Sequence, residues 1–460
     1  MLKSISKYIN DYQNKYNKSP SFMIRTYGCQ MNERDSESIS WILSKEGFVE
    51  TNNMEDADIV IFNTCAVRQN AENKLIGNLG DLKHTMEAKN LEKIIMVCGC
   101  VMEIDSSRQF LEDKFKHVDI IFGTNSIAIL EDLLEEHLST KKQVVNIDSI
   151  NLKTRETIGQ NRKYNFKSYV NIMYGCDNFC TYCIVPYTRG REVSRDAKDI
   201  IAEVKHLVNS GVKEVTLLGQ NVNSYGKTLD PQISFAELIY KIADIDGLER
   251  IRFMTSHPKD ISKELIYAFD EIDKLMPFLH IPVQSGSDRI LKLMNRKYTR
   301  ENYLEKIDMI KSLKRDIALS TDIIVGFPDE SDADFEDTID LIKRVGYDQA
   351  FTFIYSTRPG TLAAKMKNQV PDDIKNARLQ RLIEVQNDIS LEKNKKYLGK
   401  TLNVLVEGTS SKDDNFYSGR SEEFKLVNFK ANEEDIGNIV KVKINDVKSF
   451  SLNGEKVEDR

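Results

Sequence analysis

The sequence predicts an α/β protein in three parts: an N-terminal parallel α/β sheet domain, a central partial (β/α)6 barrel and a small all-β, OB-like barrel at the C-terminus. Three observations predict it. Short apolar runs alternate with helical patterns over residues 22–140. The alternation restarts at residue 169 for six more units. From about residue 398 the pattern changes to short strands broken by Gly, Asp and Asn.

The first part carries four β-rich runs with turn-like ends: "FMIRTYG", "DIVIFNT", "KIIMVCG" and "VDIIFG". Helical stretches such as "RDSESISWILSKEG" and "SIAILEDLLEEHL" separate or follow them. In open parallel sheets, ligands sit beyond the carboxyl ends of the strands. Cys29, Cys65 and Cys100 each stand at that end of a successive run, so three cysteines distant in sequence are expected on one rim. Cys98 has no counterpart in the other runs and reads as a structural thiol. Residues 141–161 are polar, lack periodicity and read as a linker.

The second part, residues 162–395, offers the strands "YVNIMY", "KEVTLLG", "RIRFMT", "FLHIPV", "IALSTDIIVG" and "AFTFIYS", each followed by a helical stretch. Such a series forms a doubly wound sheet or an open (β/α) barrel, and either places its chemistry at the carboxyl ends of the strands. The third part, residues 398–460, is read from "TLNVLVEGTS", "FKLVNFK" and "NIVKVKINDVKSFSLNGE".

With 460 residues, 40% hydrophobic and 30% charged, the chain can bury several cores. It has no run of eighteen apolar residues and no apolar N-terminal stretch, so a cytoplasmic protein without a membrane span is expected, and a monomer. A net charge of −6 argues against wholesale wrapping of nucleic acid but leaves room for a local basic surface.

Three of the seven cysteines crowd into "YGCDNFCTYC": Cys176, Cys180 and Cys183. Thiolates are soft ligands that favour iron–sulfur clusters, zinc or copper(I). Zinc usually shows paired cysteines with a second pair or histidines, and no second pair follows. A 4Fe–4S cluster normally takes four thiolates, so three leave one iron open, as a catalytic metal site does for its substrate. The triad also begins directly after the first strand of the barrel-like series, on its functional side. A zinc knob or plain buried cysteines is the bland alternative.

"CDNFCTYC" in this setting resembles the signature of radical S-adenosylmethionine (SAM) enzymes. Together with "TYGCQMNERDSE", "FNTCAVRQNAENK" and "VCGCVME", the resemblance narrows to the radical SAM methylthiotransferases and spans residues 22 to about 455. It implies two 4Fe–4S clusters. The one on Cys176, Cys180 and Cys183 binds and cleaves SAM. The auxiliary one, on Cys29, Cys65 and Cys100, supplies sulfur. It also implies an external electron donor of flavodoxin or ferredoxin type. Tyr182 would lie beside the adenine of SAM, or else be a packed loop aromatic. Asn221, Gln284, Ser285, Asp322 and Gly326 would contact SAM, or else cap loops.

The C-terminal part resembles the TRAM domain, a small barrel linked to RNA binding, although it carries ten Lys/Arg against twelve Asp/Glu. Arg420, Phe424, Lys425 and Phe429 could offer charge and stacking there. A better basic stretch, residues 287–315, has nine Lys/Arg against four Asp/Glu. Arg296 and Lys297 in it, and Arg189 in "TRGR", could contact phosphates, or belong to solvated surfaces. The residues after Cys29 resemble the subfamily that places a methylthio group on C2 of N(6)-dimethylallyladenosine next to the anticodon of tRNA. Sister subfamilies act on threonylcarbamoyl-adenosine in tRNA or on a ribosomal-protein aspartate. A two-cluster electron carrier is the alternative of another class.

Overall fold

The computed structural model describes residues 3–66, 69–147, 159–410 and 413–457. The chain divides into two compact units, Met1–Lys163 with Ile184–Arg191, and Tyr164–Cys183 with Glu192–Arg460. Among the described residues no helix is long and apolar enough to cross a membrane.

The first unit is built on a six-stranded sheet: β1 (Ser21–Tyr27), β2 (Val49–Glu50), β3 (Ile59–Thr64), β4 (Ile94–Gly99), β5 (Ile120–Phe122) and β6 (Val144–Asn146). All pairs are parallel, in the order β2-β1-β3-β4-β5-β6. Alternation along each strand feeds two cores. Ile59, Ile61, Ile94 and Met96 pack on one face, and Val60, Phe62, Ile95 and Val97 on the other. Helices α1 (Lys3–Tyr16), α2 (Gln30–Glu46), α3 (Gln69–Lys89), α4 (Asp105–Lys114) and α5 (Leu130–Thr140) accompany the sheet. α1 precedes residue 22, where the sequence pattern begins. It is held by Ile5 and Ile9, four residues apart and both buried in the core beneath α2 and α5.

The linker expected over 141–161 is shorter than that. Val144–Asn146 pair with β5, because Val144 still has an apolar pocket to fill. Residues 148–158 of that stretch lie outside the described residues, while Asn161 already hydrogen-bonds Ser40 and Ser44 of α2.

In the second unit, six parallel strands form two groups of three: β7 (Lys167–Asn171), β10 (Glu214–Leu218) and β11 (Arg250–Phe253), then β12 (Phe278–His280), β13 (Ala318–Val325) and β14 (Gln349–Ile354). A parallel bridge between Ile251 and Leu275 ties the groups, giving the partial barrel. The candidate strand "YVNIMY" is two strands. After β7 the chain turns, and β8 (Met173–Tyr174) pairs antiparallel with β9 (Val193–Ser194). That pairing pinches the base of the cysteine-bearing segment.

The terminal barrel closes in the order β15 (Thr401–Ser410), β16 (Asp413–Ser421), β17 (Leu426–Lys430), β19 (Leu452–Lys456) and β18 (Ile439–Val447). It docks at the amino ends of the core strands. Buried Arg250 donates to the carbonyls of Arg420 and Asn403 at 3.1 and 3.0 Å. Arg252 donates to those of Glu422 and Ser421 at 2.8 and 2.7 Å, while its Nε pairs with buried Glu214 at 2.9 Å. Lys425 reaches Asp348 at 2.8 Å. Phe424 packs on Phe278, with the guanidiniums of Arg252 and Arg420 near its ring.

Candidate cluster sites

The strand order of the first unit reverses between β1 and β3, and such a switch point is where an open α/β sheet binds its ligand. Cys29 follows β1, Cys65 follows β3 and Cys100 follows β4. Cys29 is the N-cap of α2, where the helix dipole favours a thiolate. Asn32 Oδ1 accepts from the Cys29 backbone at 3.3 Å and from its thiol at 3.4 Å. Asn32 Nδ2 donates to Asn63 Oδ1 at 3.0 Å, and Asn63 returns a bond to the Asn32 carbonyl at 2.9 Å. This buried amide pair locks the end of β3 to the start of α2.

Gly99 turns β4 towards Cys100 with φ of +102°, and any Cβ there would lie 2.2 Å from the Thr64 carbonyl. Cys65 is 2% and Cys100 5% exposed, and Cys29 is half-buried. The Cys65 thiol hydrogen-bonds the Cys29 sulfur and, aided by the charge of Arg189, holds Cys29 below the ordinary thiol range. Burial pushes Cys100 up, against the pull of Arg189.

Arg189 was expected to touch RNA. It is instead buried within the first unit, its Nε 3.0 Å from the Cys100 sulfur and its Nη2 3.1 Å from Asp35. A guanidinium withdrawn from water needs opposing charge, and Asp35 and a thiolate supply it here. Cys98 points the other way, into the apolar core with Met96 and Phe122, and burial raises its thiol strongly.

In the second unit Cys176, Cys180 and Cys183 follow the first strand of the partial barrel. Asn178 Nδ2 donates to the Cys176 sulfur at 3.3 Å. The segment 293–296 buttresses the loop. Thr181 bonds the carbonyls of Met294 and Leu293, Asn295 donates to the Phe179 carbonyl at 2.9 Å, and Arg296 Nη1 lies 3.5 Å from the Cys180 sulfur. Arg296, another expected phosphate contact, is thus 4% exposed and committed to Cys180, Tyr298 and the Pro282 carbonyl. Lys297 beside it is exposed.

Among the described residues no three Cys, His, Asp or Glu converge on a single ion. A cubane differs, because each thiolate binds its own iron, so the ligands surround the cluster without meeting at one point. The donor set of each unit, three cysteines near a buried guanidinium, suits an anionic cluster with one open iron.

The sequence-selected SAM contacts fall into two groups. Asn221 is 1% exposed; its Nδ2 bonds Asp260 at 2.8 Å, but its Oδ1 has no partner. Asn223 Nδ2, Ser256 Oγ and His257 Nε2 are also buried without partners, all past the carboxyl ends of β10 and β11. Buried polar atoms are normally satisfied, so four orphans together mark room for a polar ligand. His257 was missed in the sequence. Burial and the charge of Arg296 hold it well below the usual imidazole range, hence neutral.

The other group has partners within the protein. Ser285 sits 3.4 Å from Thr338 Oγ1 and accepts from the Ser287 backbone. Gln284 bridges β13 through its backbone at φ +71°. Gly326 makes a left-handed turn over Lys375, φ +69°, its N–H on Glu330. Asp322 pairs with His280 at 3.5 Å. Tyr182 packs edge-on to Phe327 with its hydroxyl 3.5 Å from Arg296.

The expected RNA contacts of the terminal barrel are spent elsewhere. Phe429 is fully buried in the barrel core, and Arg420, Phe424 and Lys425 face the strands that the barrel docks on. A cavity of about 170 Å³ lined by Lys311, Lys314, Arg315 and Lys393 lies beside the amino end of β13, the end opposite the cysteine loop.

Comparison with known families matches residues 170–342 to the radical SAM superfamily, 21–123 to the uncharacterized protein family UPF0004 and 395–457 to the TRAM domain. Curated relatives named tRNA-2-methylthio-N(6)-dimethylallyladenosine synthase align nearly end to end. That of Clostridioides difficile is 50% identical over 98% of this chain and 95% of its own. That of Clostridium botulinum is 53% identical over 95% and 97%, and that of Finegoldia magna 49% over 98% of each. Among solved structures, the radical SAM methyltransferase TsrM from Kitasatospora setae shares the fold, with a TM-score of 0.53 at 11% identity over 75% of this chain and 74% of that one.

Proposed function

The chain belongs to the family of the tRNA-2-methylthio-N(6)-dimethylallyladenosine synthases, and on that premise we propose that it attaches a methylthio group to C2 of N(6)-dimethylallyladenosine beside the anticodon of tRNA. The observation that carries this reading is the pair of cysteine triads, one past the strand ends of each α/β sheet. Cys176, Cys180 and Cys183 would hold the SAM-binding 4Fe–4S cluster, and Cys29, Cys65 and Cys100 the auxiliary one. When bound, these groups supply reductive cleavage of SAM and a sulfur to transfer, which acid–base side chains cannot provide.

The chain's own residues do the positioning. Asn178, Arg296 and the buttress from Leu293 to Asn295 fix the loop of Cys176, Cys180 and Cys183. Asn221, Asn223, Ser256 and neutral His257 offer donors and acceptors for the polar parts of SAM. Tyr182 closes the loop from the apolar side against Phe327.

By this reading, residues 22–140 and their extensions form the sulfur-supplying domain, residues 162–395 the SAM-cleaving core, and residues 398–460 the RNA-gripping barrel. An anticodon loop is single-stranded, so its base can be turned out at modest unstacking cost. Lys297 remains exposed to meet phosphate. The enzyme acts in the cytoplasm as a monomer, with a flavodoxin- or ferredoxin-type donor.

The test is anaerobic reconstitution with SAM, dithionite and tRNA carrying the prenylated base. Cys180→Ser should abolish 5′-deoxyadenosine. Cys65→Ser should leave SAM cleavage intact and give no methylthio nucleoside on mass spectrometry. Methylthio product from Cys65→Ser refutes the sulfur assignment, and a wild-type protein that makes no 5′-deoxyadenosine is an electron carrier instead.

A further inference from the structure

Among the described residues, Arg189 is the one basic side chain buried among the cysteines of the first unit. Its exposure is 9%, and three of its nitrogens have distinct situations. Nε donates to the Cys100 sulfur at 3.0 Å, Nη2 donates to Asp35 at 3.1 Å, and Nη1 is buried with no partner. A buried guanidinium nitrogen left unpaired is costly, and its persistence points to an acceptor that completes the site. Asp35 is itself 3% exposed and lies on α2 six residues after Cys29. The arginine is thereby aimed by one carboxylate and spends its Nε on sulfur, with Nη1 left over.

We infer that Arg189 is a positioning residue of the auxiliary cluster. Its Nε donates to the Cys100 ligand, and its free Nη1 is available to an anionic sulfur of the cluster or of its cargo. This rests on the assignment of that cluster to Cys29, Cys65 and Cys100. Hydrogen bonds to cluster sulfurs and local charge set the reduction potential. A fixed cation and donor stabilise the reduced, more negative state, so Arg189 raises the potential. Asp35 opposes it by partly cancelling the charge.

The experiment uses the full chain with Cys176, Cys180 and Cys183 all changed to Ala, so that only the auxiliary cluster remains. Its midpoint potential is read by anaerobic redox titration followed by electron paramagnetic resonance. Arg189→Met should lower it, shifting the oxidised-to-reduced ratio at fixed potential at least tenfold, about 59 mV for one electron. Arg189→Lys, which keeps the charge but loses the fork, should shift it less. Asp35→Asn should move it the other way. A purely structural arginine would change iron content or melting without this opposition of sign.

An unchanged or raised potential in Arg189→Met, or a lowered one in Asp35→Asn, overturns the inference. Should Arg189→Met fail to hold iron, Arg189→Lys and Asp35→Asn decide on the same criterion. Should the triple-Ala parent bind no iron at all, the cluster assignment fails and the inference falls with it. Iron present with an unmoved potential sinks the inference alone.

Discussion

At the scale of the residue, position decides which thiol does what. Cys98 and Cys100 are two apart, yet Cys98 points into the apolar core and Cys100 onto the rim with Arg189. Cys29 is half-buried and lowered by the Cys65 hydrogen bond, whereas burial raises Cys98 strongly. The thiolate is the nucleophile, so iodoacetamide added to the metal-free protein at pH 7 should label Cys29 well before Cys98, as peptide mass spectrometry would show. Equal labelling would contradict the geometry. The cysteines were legible because spacing and strand ends betray them. The arginines were not. Arg189 and Arg296 carry charge, and charge in a sequence reads as surface; only the fold reveals that each is buried with a thiol beside it. Asn223, Ser256 and His257 left no sequence signal, since their common feature is a missing partner.

At the scale of the element, the parallel strands were legible wherever β-branched and apolar runs were continuous. β3 and β4 are buried at every position and read plainly. β6 was hidden by its brevity, and α1 by a polar sequence whose apolar stripe rests on Ile5, Tyr8 and Ile9. The split of "YVNIMY" into β7 and β8 depends on pairing with β9, twenty residues on, which no local pattern encodes. The loops that carry the thiols have their own steric demands. Gly99→Ala would force a Cβ against the Thr64 carbonyl at a positive φ. It should destabilise the first unit by more than about 1 kcal/mol and lower auxiliary-cluster loading, measured by thermal melting and iron content. A variant that melts and loads like the parent would show that the rim is not as tight as these contacts imply.

At the scale of the whole molecule, the terminal barrel was legible as a type, but its docking was not. Arg420, Phe424 and Lys425 looked like a nucleic-acid surface, and they are the seam with the core. Arg252→Ala would leave Glu214 buried without its closest partner and release two barrel carbonyls. Breaking such a pair costs roughly 3–5 kcal/mol. The barrel should then be cut from the core much faster in limited proteolysis, and an unchanged rate would mean that the seam is held elsewhere. What joins the three parts chemically is the claim of two clusters in one chain. The most direct measurement is iron and sulfide in anaerobically purified protein, beside the Cys176, Cys180 and Cys183 triple-Ala variant. The account predicts about eight irons per chain in the parent and about four in the variant. About four in the parent and none in the variant would contradict it.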